Sequence, residues 1–499
     1  MTDTIPASHT TLLNELSQLI SSMMGLHFPE SRFADLERSV RSASADLGFS
    51  SIEEFTYWLK STTLTRQHIE TLAGHLTVGE TYFFRDQDSF RALEEHVFPE
   101  FISARQSGLR RLRVWSAGCS TGEEPYSVAI LLKRMLADLK NWNISILATD
   151  INATAIKKAS AGVYSEWSFR GTPEWVKNGY FVKIKEGLYE ISPEIKKMVS
   201  FNYLNLAEDV YPSLLNNTNA IDIIFCRNVI MYFSAEVAGR VIKGLHNSLM
   251  DDGYLLVSPA EALRTRSPLF RPVNMSNTTL YRKSEEMEEM RPAPPHYIPG
   301  PAEYKWLPPV KDDIKEERSA NAVTDEPPAE AEAAPSKYDE AVSLFERGRY
   351  AEASLALEES ALAGDNGWKV MNLLARACAN QGRLDLAAKW CEKAISADTL
   401  NPVQYYLLAT ILQEQGRAED AINYLKKALY LDHNFVLAQF VLGNLLFSRG
   451  DSGAAARHYR NALDLLSAEN PEEVLPESDG VTAGRLKEII NSIIKERLA

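Results

Sequence analysis

The segment VWSAGCSTGEEPYS, residues 114–127, gathers residue types that can do chemistry. Gly118 and Gly122 flank Cys119, Ser120 and Thr121 where a short apolar stretch gives way to a helical pattern. In an open α/β sheet ligands bind beyond the carboxyl ends of the strands, and glycine there lets a ligand approach the backbone closely. Two readings fit the spacing. Gly118-x-Ser120-x-Gly122 matches the nucleophile elbow of α/β hydrolases, which requires an acid and then a histidine further along. The only later histidine in this part of the chain, His246, falls within a predicted amphipathic helix rather than on a strand-end loop, which weakens that reading.

The other reading is a nucleoside-binding loop. Helix starts favour anions, yet this helix begins with Glu123 and Glu124. A phosphate would be repelled there and a ligand carrying a free ammonium attracted. S-adenosylmethionine, with a sulfonium, an α-amino group and no phosphate, has that chemistry. Paired acids also satisfy the ordinary charge preference of a helix start, so alone they decide little. Asp150 adds a second point, ending the next apolar stretch twenty-eight residues after Gly122. A carboxylate there can accept both ribose hydroxyls. Its structural alternative, an N-cap, suits Asn152 better. Cys226, a conceivable covalent nucleophile, sits in an apolar run without a proline-cysteine motif and reads as core.

The elements that must position these residues are strands alternating with helices from about 110 to 283. LRVWSAG, ISILATD (144–150), IDIIFCRN (221–228) and GYLLVSPAE (253–261) read as strands, and EEPYSVAILLKRML, NATAIKKASAG and EVAGRVIKGLHNSL as helices. LFRPVNMSNTTLYRK reads as two strands around a turn. The alternation predicts a mostly parallel sheet with helices on both faces. Residues 1–76 read as a small all-helical unit, with Ser31 and Ser51 as N-caps and Gly25 and Gly48 as stops.

SAGCSTGEEPYSVAI, LATDINATAIKKASAGVY, VSFNYLNL and IFCRNVIMYF stand in the order and spacing of the CheR-type protein-glutamate methyltransferases, and LTVGETYFFRD at 76–86 resembles that family's entry segment. The resemblance covers about residues 10–283. It implies a Rossmann-like class I methyltransferase domain over 77–283, with S-adenosyl-L-methionine as cofactor. A small β-subdomain at about 166–203 docks a receptor tail in some members. Carried over position by position, Thr81, Arg85, Glu123, Asp150, Asn205, Leu206, Arg227 and Asn228 would contact the cofactor beside the Gly118 turn. At Gly79 some members carry asparagine, and the Gly-His-Ser-Glu segment reads here as Ser258-Pro259-Ala260-Glu261. The implied reaction is methyl transfer to γ-carboxylates of chemoreceptor glutamates on their cytoplasmic signalling helices. The runner-up is a catalytically reduced scaffold acting through its C-terminal part. Tyr232 either orients the incoming carboxylate or packs under the loop, and Arg85 is a candidate for cofactor or substrate. Arg32, Arg38 and Arg41 offer either a basic face toward an acidic receptor or an ordinary solvated helix face.

Residues 284–336 are rich in proline, glutamate and alanine, a composition that predicts an extended linker. Beyond them Gly348, Gly382, Gly416 and Gly450 recur every 34 residues, each followed five residues later by Ala353, Ala387, Ala421 or Ala455. A helical period of 34 is the tetratricopeptide signature. It predicts four repeats over 337–470, forming an all-α solenoid, and a capping helix within 471–499. Such an array is a platform for a protein partner, tethered by the linker, or an intramolecular cover for the active site. The net charge of −14 argues against a general nucleic-acid binder. The four cysteines form no CxxC pair, the N-terminal residues show no signal-peptide pattern, and no apolar run approaches the ~20 residues that span a bilayer, so a cytoplasmic location and no metal site are expected.

Overall fold

The computed structural model describes residues 7–494 except 63, 107–109, 209, 263–266, 276, 285–335, 363–366 and 479. The proline-rich segment expected as a linker therefore lies almost wholly outside the described residues. Four helices open the chain: α1 (Ala7–Met24), α2 (Phe33–Asp46), α3 (Ile52–Ser61) and α4 (Arg66–Leu76). Ser51 caps α3 by accepting the Glu54 N–H, and Gly25 and Gly48 take φ of +74° and +88° at the expected stops. Ser31 is not a cap. It lies inside a 3-10 turn at Glu30–Arg32, so α2 starts from Arg32 with no side-chain cap.

Next come α5 (Gln87–Ala92), α6 (Phe98–Arg105), β1 (Arg111–Ala117), α7 (Glu123–Met135), β2 (Asn143–Asp150) and α8 (Ala153–Ala161). A three-stranded sheet follows, made by β3 (Val163–Ser165), β4 (Phe181–Lys185) and β5 (Leu188–Ile191), with α9 (Glu174–Tyr180) before β4 and α10 (Pro193–Lys196) after β5. The chain then returns through β6 (Val199–Tyr203), β7 (Ile221–Phe225), α11 (Ala235–Ser248), β8 (Leu249–Leu256), β9 (Phe270–Met275) and β10 (Thr278–Lys283). The main sheet has seven strands in the order β6-β2-β1-β7-β8-β10-β9; β6 through β8 run parallel, and β10 is antiparallel to β8 and β9. β6 does not appear among the strands expected from sequence. Its five residues, VSFNY, do alternate apolar and polar and are buried and exposed in turn, but they stand at the end of the 166–203 insertion.

Side chains alternate across the sheet because a strand has a period of two. Trp115, Ala117, Leu147 and Ile224 face a core shared with α11 and the N-terminal helices. Val114, Ile146, Ala148, Ile223 and Phe225 face the other, with α7 and the small sheet. The N-terminal helices thus share a core with the sheet.

The repeats follow as α12 (Lys337–Glu346) with α13 (Tyr350–Leu362), α14 (Trp368–Asn380) with α15 (Leu384–Ala397), α16 (Pro402–Glu414) with α17 (Ala418–Leu431), and α18 (Val436–Ser448) with α19 (Ser452–Leu466). Gly348, Gly382, Gly416 and Gly450 close the four turns at positive φ, and the alanines five positions on are fully buried where paired helices approach. α20 (Ala483–Ile493) ends the described chain.

The array sits against the methyltransferase-like unit. At the start of β1, Arg113 and Arg111 reach the Glu414 carboxylate at 3.0 and 3.7 Å, and Asn143 donates to the Glu414 carbonyl at 3.2 Å. A Cβ on Gly382 would come within 2.8 Å of the Met250 sulfur. This contact lies at the entry end of β1, away from Gly118. Among the described residues no helix is long and apolar enough to cross a membrane.

Candidate active site

Strand order reverses at β1, because the chain runs from β1 to β2 and β6 on one side and then crosses to β7 on the other. That reversal opens a crevice at the exit ends of β1, β2 and β7. Gly118, Asp150, Arg227 and Asn228 meet there.

The β1 exit loop is fixed by the backbone. Gly118 and Cys119 both donate to the Thr149 carbonyl, at 2.8 and 2.9 Å. Gly118 has φ +81°, and a Cβ there would lie 2.3 Å from Val229 Cγ2. Only glycine lets this loop lie against the β7 exit. Ser120 turns at φ +50° and donates its N–H to Asp150 Oδ2 at 2.8 Å, while Asn152 N–H donates to Oδ1 at 2.8 Å. Asn152 itself caps α8, as its position suggests. Burial pushes the Asp150 carboxyl above the ordinary range, opposed by these N–H bonds. The carboxylate is thereby aimed, and each oxygen keeps a lone-pair direction for a ligand hydroxyl.

The two acids of α7 part ways. Glu123 is 2% exposed and its oxygens accept from Ser168 Oγ at 2.9 Å and Thr121 Oγ1 at 2.6 Å, locking the loop to the segment after β3. Glu124 accepts from Ser116 Oγ at 2.7 Å and meets Arg227 Nη1 at 3.4 Å; burial, the leading cause, pushes its carboxyl up, and Arg227 opposes this. Arg227 also donates to Asp86 Oδ2 and to the Arg85 carbonyl, each at 2.9 Å. The arginine therefore ties β7 to α7 and to the 79–86 segment.

That segment closes the crevice. Ser120 Oγ donates to the Gly79 carbonyl at 3.1 Å, so glycine contributes through its backbone. The Thr81 carbonyl accepts from Arg170 at 3.4 Å. The Arg85 guanidinium donates to the Glu80 carbonyl at 2.8 Å and lies 5.8 Å from the Tyr82 ring centre. Arg85 is half-buried, and its charge acts on the Glu124 carboxyl, opposing the upward push of burial.

Asn205 and Leu206 lie deeper. The Asn205 amide donates to the Met23 carbonyl at 3.0 Å and its oxygen accepts from Ala207 N–H, joining the loop after β6 to α1; Leu206 is buried. Tyr232 stands toward the N-terminal helices: its carbonyl accepts from His27 N–H at 2.7 Å, and Arg32 lies 5.6 Å from its ring centre. Arg38 and Arg41 face Asp35 and Glu37 at 3.6 and 2.6 Å. Cys226 is fully buried and its thiol is pushed well up by burial, which leaves it protonated and supports a core role.

Sequence reasoning missed Glu261. It is fully buried, and its carboxylate accepts N–H groups from Asn228, Val229, Met231 and Ser258 at 2.7–3.2 Å, with the Ser258 hydroxyl at 2.6 Å. It holds the β7 exit loop, where Asn228 takes φ +60°. The signal available was the Ser258-x-x-Glu261 spacing of a capping box.

The chain is 31% identical over 254 residues to the chemotaxis protein methyltransferase of Borreliella burgdorferi, covering 50% of this chain and 88% of that one. The chain belongs to the CheR methyltransferase family. The family description "CheR methyltransferase, SAM binding domain" matches residues 79–279, and "Tetratricopeptide repeat" matches 338–402 and 406–471. Chemotaxis protein methyltransferase 1 of Pseudomonas aeruginosa is 37% identical over 219 residues, covering 43% of this chain and 77% of that one. The probable biofilm formation methyltransferase WspC of the same organism is 31% identical over 273 residues, covering 55% of this chain and 62% of that one. Among solved structures, MamA 41-end from Desulfovibrio magneticus RS-1 overlaps 27% of this chain and 76% of its own length at 20% identity and a TM-score of 0.26, too slight a likeness to carry an argument.

This CheR-family chain is therefore a methyltransferase that uses S-adenosylmethionine. The crevice fits that group. Its walls present Asp150 and the acidic start of α7, and Arg227 beside them is already paired with Glu124 and Asp86.

Proposed function

We propose that this enzyme methylates glutamate γ-carboxylates on the cytoplasmic signalling helices of a chemoreceptor, within a chemosensory pathway, and that its repeats hold a protein partner. The observation that supports this reading is the Asp150 carboxylate, aimed by Ser120 and Asn152 N–H groups at the strand-exit crevice. The names of the related chemotaxis methyltransferases agree with it.

S-adenosylmethionine, when bound, supplies a methyl group activated by the sulfonium. Asp150 would accept from the ribose hydroxyls. The Gly118–Gly122 loop, Asn228 and the 79–86 segment, with Thr81, would form the remaining walls. Glu123, Asn205, Leu206 and Arg227 contribute by holding those walls, since their polar groups are engaged with the protein. Arg85 is placed to attract the substrate carboxylate, and Tyr232 lines the side toward α1 and α2. A glutamate side chain has pKa ~4.3 and is already ionised at neutral pH, so no general base is required. Catalysis then rests on alignment and exclusion of water.

The test begins with calorimetric titration of S-adenosylmethionine and S-adenosylhomocysteine into wild type and Asp150→Ala. Binding of both ligands, weakened at least tenfold by the substitution, is expected. Receptor signalling fragments should then acquire base-labile methyl esters. Absence of binding at millimolar ligand would overturn the enzymatic reading; binding without esters on any glutamate would overturn the substrate.

A further inference from the structure

Which face of the repeat array can receive a partner follows from the tail. Helices α12, α14 and α16 touch one another in succession, which places the first helix of each repeat on the inside of the solenoid. The 34-residue equivalents Asn372 of α14, Tyr406 of α16 and Phe440 of α18 form one row on that side, and Arg376 and Thr410 belong to the next. In an open solenoid such rows line a solvent-filled groove. Here Asn372 is 8% exposed, Tyr406 5%, Phe440 5% and Thr410 6%. The groove is filled.

The chain after α19 contributes to filling it, and Leu214 and Leu215 of the catalytic unit pack against the same core. Leu475, Val481, Leu486 and Ile490 are buried in the same apolar core as Tyr406 and Phe440. The backbone on either side of the loop is bonded to itself, Leu475 N–H donating to the Val481 carbonyl at 3.0 Å and Ala483 N–H to the Glu473 carbonyl at 2.8 Å. At its tip Glu477 reaches Arg376 at 3.3 Å. Arg376 belongs to the second repeat, whereas the tail leaves from the fourth. A tail that only capped the last repeat would not send its loop so far, although α20 itself packs on α19. On its other side α20 is held against the catalytic unit by Arg485, 4.5 Å from the Tyr203 ring centre.

We propose that the inner groove is a binding site for a partner-protein segment that carries aliphatic anchors and a carboxylate for Arg376, and that the tail bearing Glu477 and α20 occupies it as a resident competitor. The tail displays the chemistry the groove accepts: buried aliphatic side chains at Leu475 and Val481 in its loop and at Leu486 and Ile490 in α20, and the loop carboxylate of Glu477 for Arg376. A tethered occupant acts at an effective concentration of about millimolar, so a partner must displace it rather than enter an empty groove. This inference rests on reading the repeats as a partner platform; it does not depend on the methylation substrate.

The test uses a fluorescent peptide of residues 468–494 and the full chain. Anisotropy should show binding to Leu486→Asp/Ile490→Asp, where the tail is unseated, at least tenfold tighter than to wild type. Adding Arg376→Glu to that variant should cost tenfold or more. Equal affinity for wild type and the unseated variant would overturn the proposal, as would no binding to an unseated variant that retains native helicity. A peptide carrying Glu477→Lys that binds undiminished would overturn the acidic requirement. Should the double variant fail to fold, hydrogen exchange on wild type decides: α20 amides must be protected alongside those of α16, and rapid exchange over 483–493 ends the idea. S-adenosylmethionine titration of the same samples separates the two readings, since cofactor binding with no peptide binding sinks only this one.

Discussion

Glu261 and Asn228 are joined by a 2.8 Å hydrogen bond from the Asn228 N–H to the fully buried Glu261 carboxylate. Three further N–H groups share that carboxylate, so one buried charge holds the loop that forms one wall of the crevice. Glu261→Gln replaces an acceptor oxygen with a donor that faces N–H groups. Each unsatisfied buried group costs about 1–3 kcal/mol. We expect a lower urea midpoint and S-adenosylmethionine affinity reduced at least tenfold by calorimetry. Unchanged affinity would mean that the loop keeps its shape without the clamp.

Arg227 bridges Asp86 and Glu124 with its side chain 4% exposed. Arg227→Ala leaves two carboxylates facing each other without a cation, a loss of about 3–5 kcal/mol for a buried pair. Arg227→Lys keeps the charge but cannot span three acceptors at once, and should fall between wild type and alanine in chemical denaturation.

The contact of Glu414 with Arg111 and Arg113 predicts that array and catalytic unit unfold together. Burial and the neighbouring Arg113 charge push Arg111 down to about 10, so the guanidinium pair depends on its carboxylate. Glu414→Gln should weaken the docked state by about 3–5 kcal/mol and separate one calorimetric transition into two. Glu419→Gln, which breaks an exposed pair with Arg449, should change stability by ~1 kcal/mol or less. A single transition in both variants would count against a coupling role for Glu414.

Two histidines set a pH dependence. Burial lowers His246, helped by Lys283, and burial lowers His458, helped by Arg457 and Lys426. Each folded site favours the neutral ring. As pH falls below about 6.5 the unfolded chain gains protons that the folded sites resist, and stability declines until the folded values are reached. The raised carboxyls of Asp150 and Glu124 act with the opposite sign, their stabilising effect being present at low pH and lost as pH rises through their folded values. The comparison is therefore between variants: His246→Gln/His458→Gln should lose less melting temperature than wild type between pH 7.5 and 5.5.

Much of the site was legible because it is local. The positive-φ turn at Gly118, the acidic start of α7 and Asp150 at a strand exit follow from one short loop and one strand end. Carry-over from the family points to further residues around the crevice, but not to what their side chains do. Glu123 and Asn205 spend their polar atoms on Ser168 and Met23, partners 45 and 182 residues away, and no spacing announces those bonds. Ser31 misled because Asx- and Ser-type caps resemble the residues of a preceding turn, and β6 because its alternating VSFNY follows directly on the 166–203 insertion and is only five residues long.

What the sequence by itself determined was periodic: strands every second residue, helices on both faces of a sheet, and four copies of a 34-residue unit marked by turn glycines. Periodicity is a property of neighbours, and neighbours are adjacent in the chain. Only the tertiary structure decided which acid meets which base. With 67 acidic and 53 basic residues, nothing in their order singles out Glu414 for Arg113 or Glu477 for Arg376. Those pairings depend on burial, because a charge removed from water must find its partner inside the fold, and burial is settled only when distant segments pack.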